Sequence, residues 1–137
     1  MDLRQAFEKT MAEVINMALA TSVSDMPNVR LVTFGYDDAH PKCIYFTTFL
    51  GNEKIKEFTA NPNVTALPVA EGDMQVRVHG RVRAAEIGID AVAAIILKKA
   101  PFFEEMLDNK AYMAAYQIDF DEALITIGVD DAQTLIM

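Results

Sequence analysis

The chain has 137 residues, of which 52% are hydrophobic, and 20 acidic against 12 basic side chains give it a formal net charge of −8. That length suits one globular domain over residues 1–137 with a core of its own, and low Gly and Pro content excludes a disordered chain. The negative balance argues against nucleic acid as a partner, since phosphates need a basic patch, and no apolar run is long enough to span a membrane.

Met1 is followed by Asp2 and Arg4 with no long apolar stretch behind them, so no secretory signal is expected and the cytoplasm is the expected compartment. Leu3, Phe7, Met11, Val14, Ile15 and Ala18 recur at helical spacing, which predicts a helix over 3–18 with one buried face; Asp2 and Gln5 form a candidate capping box. A turn at Ser24–Asn28 separates Ala18–Val23 from Val29–Phe34, and both flanks read as strands of a first hairpin. After a second turn over Tyr36–Lys42, Cys43–Phe49 is a third strand of aromatic and β-branched residues. The lone Cys43 excludes an intramolecular disulfide and a multi-thiolate metal site, and reads as a small buried hydrophobe beside Ile44.

The period changes over Gly51–Ala60, where Ile55 and Phe58 mark a short helix stopped by Pro62. Val64–Val69 is another strand, with Pro68 suggesting an edge or bulge. Met74–Ala85 alternates cleanly: Gln75, Arg77, His79, Arg81 and Arg83 share one face, Val76, Val78, Val82 and Ala84 the other, and Gly80 interrupts the apolar face as at a bend. Ala91–Lys99 and Pro101–Leu107 read as helical pieces, Lys110–Phe120 is ambiguous between helix and strand, and Ala123–Val129 and Gln133–Met137 read as strands. Six or so short strands with hairpin spacing do not follow a βαβ rhythm; a mainly β fold, a small antiparallel barrel with helical insertions, fits best.

The order and gaps of Arg30 and Val32 on an apolar run, Thr47-Thr48, Asn52 and Lys54 opening a helix, Asn61-Pro62, and Gln75–Val82 resemble the pyridoxamine 5'-phosphate oxidase-like split-barrel family. The resemblance covers 11–85, and more weakly 123–135, where the ending is similar to that of small FMN-binding proteins; 86–122 carry no recognisable motif. It implies a six-stranded antiparallel split β-barrel of Greek-key, FMN-binding type. It also implies a homodimer with the flavin at the interface, and oxidoreductase chemistry by hydride or electron transfer with a nicotinamide nucleotide, a quinone-like acceptor or a redox protein.

Carried over, Arg30 and the helix-start residues Thr48, Asn52 and Lys54 would hold the FMN phosphate, Leu31, Val32 and Thr33 would line the isoalloxazine through their backbone, Thr47 would sit beside Thr48, and Gln75 would reach the flavin. The chemistry is apt, since a dianionic phosphate favours a helix N-terminus with hydroxyl and cationic groups. Plainer roles compete: Arg30 as an exposed edge residue, Asn52 as an N-cap only, and Lys54 paired with Glu57 on a solvated helix face. His40 reads as a solvated turn residue, and His79 as a hydrogen-bonded strand residue, a ligand contact or an axial haem position. No catalytic side chain and no metal ligand is assigned.

The chain departs from the family pattern at Glu53, where many members carry a second basic residue and where a carboxylate would repel phosphate if it pointed inward. It departs again at Gly35, where the true oxidases carry a lysine, and in lacking their Arg-bearing C-terminal region. A genuine pyridoxamine 5'-phosphate oxidase is therefore not expected. The alternatives are a non-enzymatic flavin-binding or electron-transfer module, and a split barrel binding haem or no cofactor.

Overall fold

A computed structural model describes residues 1–137. The elements in chain order are α1 (Leu3–Glu13), β1 (Asn16–Val23), β2 (Met26–Gly35), β3 (Cys43–Phe49), α2 (Glu53–Ala60), β4 (Asn63–Pro68), β5 (Met74–Ala84), α3 (Gly88–Leu97), a 3-10 segment (Pro101–Tyr112), β6 (Met113–Asp119), β7 (Glu122–Ile127) and β8 (Gln133–Ile136). All strand pairings are antiparallel. The order β4-β1-β2-β3-β6-β5 closes on itself through β4–β5, giving a six-stranded barrel, and β7 and β8 extend it beyond β5. Within it β4-β1-β2-β3 is Greek-key order. β6 and β7 run end to end along one edge of β5, pairing with Arg81–Ala84 and Met74–Val78.

The capping box at Asp2 and Gln5 forms as expected, but α1 ends at Glu13 and not near residue 18. Ala18 satisfies both the helical and the strand period. What decides is pairing: β1 is flanked by β2 and β4, and Met17 and Leu19 alternate into the barrel interior at 0% exposure. The first turn is also tighter than the sequence suggests. Ser24 and Asp25 both take positive φ (51° and 63°), as a two-residue hairpin loop requires, and β2 begins at Met26. The ambiguous segment over 110–120 is 3-10 at its start and strand from Met113, because it fills the place between β3 and β5.

Phe7, Phe34, Phe46, Val76, Val78, Ile118 and Ile125 fill the barrel, which α1 covers. A second cluster lies outside the wall, where Val92, Ile96 and Phe103 pack on Tyr45 and Met113. This layer explains Gly35. A Cβ there would lie 2.8 Å from Ile95 Cγ2 and 3.2 Å from the Ile96 amide nitrogen, so α3 occupies the space a lysine would need.

Lys99, just beyond α3, points back into the fold. Its Nζ donates to the Met11 carbonyl at 3.0 Å and lies 3.4 Å from the Phe34 ring centroid. Those contacts favour the ammonium, but burial prevails and pushes it down from 10.5 to about 7. The folded state therefore binds fewer protons than the unfolded chain between those values, so the cost of holding Lys99 is full below about pH 7 and gone above about pH 10.5. The expected outcome is that Lys99→Met gains stability relative to the parent near neutral pH and loses that advantage at alkaline pH. After discounting for solvent, the change is on the order of 1 kcal/mol. Urea unfolding of both proteins at the two pH values checks it; a pH-independent difference contradicts it.

Candidate functional site

The barrel is split on one side. β2 and β3 pair only through Phe34↔Phe46 and Gly35↔Tyr45, while β2 pairs with β1 along Met26–Thr33. The Phe34 amide donates to the Ile15 carbonyl at 3.1 Å, which sets the alternation: even-numbered residues of β2 bond to β1. Val29, Leu31 and Thr33 therefore turn their N–H and C=O groups to the open edge. Pro27, which has no N–H to offer, lies on that same edge, where a proline is tolerated. Side chains alternate in step. Arg30 lies on the face that leads to the buried Phe34, and Leu31 lies on the outer face at 65% exposure.

Helix α2 sits beside this opening. Asn52 is its N-cap, accepting from the Lys54 amide at 3.1 Å. Phe58 anchors the helix against Phe46 and Tyr116. Lys54 then reaches back to β3, where its Nζ donates to Thr48 Oγ1 at 2.8 Å. Burial, and after it the nearby positive charge of Arg30, lower the Lys54 pKa; the Glu57 carboxylate acts the other way. Of the four expected phosphate-site residues, Thr48, Asn52 and Lys54 thus meet at the start of α2, and Arg30 lies one turn further along the helix, at Glu57.

Sequence reasoning missed the centre of the cluster. Arg30 Nη2 is paired with Glu57 Oε1, and Asn28 Nδ2 donates to Glu57 Oε2 at 2.5 Å. Arg30 Nη1 donates to the Leu19 carbonyl at 3.1 Å and to Thr21 Oγ1 at 2.9 Å. Only 24% of the arginine side chain and 10% of the glutamate side chain are exposed. A signal is present in the sequence: Glu57 stands three residues after Lys54, hence on the same helical face, where it enters only as a competing partner for that lysine. Glu53, the carboxylate that the sequence flags, faces solvent beside Lys56, with Nζ 3.5 Å from its Oε2.

Other expected members stand apart. Val32 packs its side chain against the barrel core. Thr47 is on the opposite face of β3 from the buried Thr48, as strand alternation requires. Gln75 is exposed on β5, and β1 and β4 lie between β5 and β2, roughly 14 Å of sheet. Within one chain Gln75 does not join Arg30.

A groove of about 780 Å³ opens on the outer wall where β4, β5 and the β6–β7 junction meet, and His79, Arg77, Arg81, Thr65 and Asp121 are among its lining residues. His79 Nδ1 is hydrogen-bonded to Thr65 Oγ1 at 2.8 Å, so the strand histidine has the partner expected of it. Cys43 is half-buried, and burial, then the Asp119 carboxylate, push its thiol up, which makes it a poor nucleophile. Burial works against ionisation of Asp119, but hydrogen bonds from Arg83, Gln117 and Cys43 hold its carboxyl below the usual range.

The model of a family described as pyridoxamine 5'-phosphate oxidase-like matches residues 10–132. Among solved structures, General Stress Protein 26 of Bacillus anthracis str. Sterne matches with a TM-score of 0.76 and 18% identity over 100% of both chains. A protein of Mesorhizobium loti described as FAD-binding matches with a TM-score of 0.65 and 16% identity over 92% of this chain and 94% of that one. The haem storage protein HutZ of Vibrio cholerae matches with a TM-score of 0.70 and 14% identity over 94% and 99%. At these identities the likeness is one of fold. No curated protein matches the chain in sequence.

Proposed function

The chain belongs to the pyridoxamine 5'-phosphate oxidase-like family, and from that premise we propose that it binds a flavin, FMN, in the split between β2 and β3 and serves as an oxidoreductase. The observation that carries this reading is the open edge of β2. The unpaired N–H and C=O groups of Val29, Leu31 and Thr33 run past the start of α2, where Lys54 and Thr48 are already hydrogen-bonded to each other. An edge of that kind suits the hydrogen-bonding rim of an isoalloxazine, and the first turn of α2 with Lys54 suits a phosphate. The residues fit the group in these respects; Arg30 fits less well, because Glu57 already occupies it.

When bound, the flavin would supply hydride or electron transfer. The chain's part is to bind and orient: Leu31 and Thr33 through their backbone, Lys54, Thr48 and Asn52 at the phosphate end. Pyridoxamine 5'-phosphate is not the proposed substrate, since the place of the oxidase lysine is taken by Gly35 packed under α3. A nicotinamide nucleotide or a redox protein is the proposed electron partner. The outer face of β2 carries Met26, Val29 and Leu31 at 65%, 68% and 65% exposure. We propose that a second copy covers it and brings its own Gln75 face toward the flavin, giving a homodimer of twice 15.2 kDa in sedimentation.

The test is the visible spectrum of the freshly purified protein, followed by flavin titration of Lys54→Ala. Flavin bands near one per chain are expected. Lys54→Ala should weaken FMN by about 1 kcal/mol, the low end for a charge-assisted hydrogen bond, and leave riboflavin nearly untouched. Equal losses for both ligands would remove Lys54 from the phosphate end.

Haem is a second reading, favoured by His79. The Nδ1–Thr65 Oγ1 contact leaves Nε2 as the ring nitrogen without a protein partner, beside a groove that Arg77 and Arg81 also line, and in the tautomer with the hydrogen on Nδ1 it can ligate a metal. A Soret band lost in His79→Ala would support it over flavin.

A further inference from the structure

We infer that Glu57 determines how much this site gains from a phosphate group: the carboxylate is an internal anion seated on Arg30, and a phosphorylated flavin must displace it. The inference rests on the flavin site proposed above and concerns the selectivity of that site.

Three observations carry it. Three of the five guanidinium N–H donors of Arg30 are already engaged, by the Leu19 carbonyl, Thr21 Oγ1 and Glu57 Oε1. Glu57 is held from its other oxygen by Asn28 at 2.5 Å and is only 9% exposed, so it is packed in place. The charge count then follows. Arg30 and Lys54 supply two positive charges, Glu57 removes one, and the Glu53–Lys56 pair lies out in solvent. A site with one net positive charge is poorly matched to a phosphate monoester, which carries nearly two negative charges at neutral pH.

Binding FMN in this chain exchanges one charge-assisted pair for another. Arg30 gives up Glu57 to take the phosphate, and Glu57 is left beside a second anion. The net advantage of FMN over riboflavin is therefore small, although the residue types at 30, 48, 52 and 54 suggest a strong one. Replacing the carboxylate by its amide keeps the shape and one oxygen for Arg30, lets Asn28 turn its own amide to accept from the new N–H, removes the competing charge, and opens Arg30 to the ligand.

The experiment titrates the parent and Glu57→Gln with FMN and riboflavin by flavin fluorescence, and with inorganic phosphate by thermal melting. In the parent, FMN and riboflavin should differ by no more than about tenfold. Glu57→Gln should tighten FMN on the order of tenfold or more and change riboflavin by less than about twofold. Phosphate should raise the melting temperature of Glu57→Gln saturably and leave that of the parent unmoved. Equal FMN affinity in the two proteins, or weaker binding in Glu57→Gln, overturns the inference.

If Glu57→Gln does not fold, the parent alone decides: FMN preferred over riboflavin by about a thousandfold would show that Arg30 is free to bind phosphate. If neither protein binds either flavin, the flavin reading fails, and the phosphate melts still decide whether Glu57 closes Arg30.

Discussion

Arg30→Met is expected to destabilise the fold by about 2–4 kcal/mol, because it leaves a packed carboxylate without its partner. Glu57 would retain Asn28, which donates at 2.5 Å, and the more distant charge of Lys54, whose own Nζ is held by Thr48. The backbone would suffer too, since Arg30 Nη1 donates to the Leu19 carbonyl and to Thr21 on the neighbouring strand. The double variant Arg30→Met/Glu57→Met should recover most of the loss and stand within about 1 kcal/mol of the parent, because two apolar side chains of similar length need no partners. Urea unfolding of the parent, both single variants and the double variant measures the coupling, expected at about 2 kcal/mol or more. Additive losses would mean that the pair is not coupled, and Glu57 could not then be closing Arg30 against a ligand.

The same pair shows what the sequence can and cannot convey. Arg30, Thr48, Asn52 and Lys54 are legible because each owes its place to a local rule. Asn52 precedes a helical period as a cap, Lys54 follows at the first turn, and Thr48 and Arg30 fall on strands whose alternation is plain. Glu57 is equally local in its placement, and yet the sequence offers it only as a competing partner for Lys54 on a solvated helix face. What makes it part of the site is a contact 27 residues away across the split, on β2. A charge at one helical position implies a partner only when the facing strand is known. Glu53 illustrates the converse. It draws attention through a family position, and the helix turns it to solvent, one turn before the carboxylate that matters.

The fold divides in the same way. β3, α2 and β5 are read almost to the residue, since their periods are clean and Pro62 and Gly51 bound them. The end of α1 is misplaced because Ala18 suits either period and only the pairing of β1 with two neighbours settles it. The segment 86–122 carries no motif. α3 earns its place by covering Tyr45 and Gly35, contacts between residues roughly fifty to sixty positions apart. Gln75 differs in another way: its position on β5 is read correctly, and β4 and β1 lie between it and Arg30 in the same chain.

Gly80→Ala should be among the most damaging single methyl additions in this protein. β5 exchanges partners there, from β6 to β7 on one edge, while β4 stays on the other. A Cβ at Gly80 would lie 2.5 Å from the Asp119 carbonyl oxygen and 2.6 Å from Ile118 Cγ2. One of those atoms is main chain and cannot swing aside, so the strands must part at the seam. The expected cost is about 3 kcal/mol or more, at the upper end of overpacking losses.

Gly72→Ala is the control, with positive φ and open space around its Cβ; it should cost only the roughly 1–2 kcal/mol of left-handed backbone strain. Thermal and urea unfolding of the two variants separate contact from conformation. Because the seam at Gly80 lies across β4 and β1 from Arg30, Gly80→Ala should still bind flavin within about threefold of the parent at temperatures where it remains folded, as expected for sites with no shared partners. A variant as stable as the parent would mean that β5 and β6 approach less closely than this register requires. A folded variant that has lost flavin would mean that the split and the seam move as one unit.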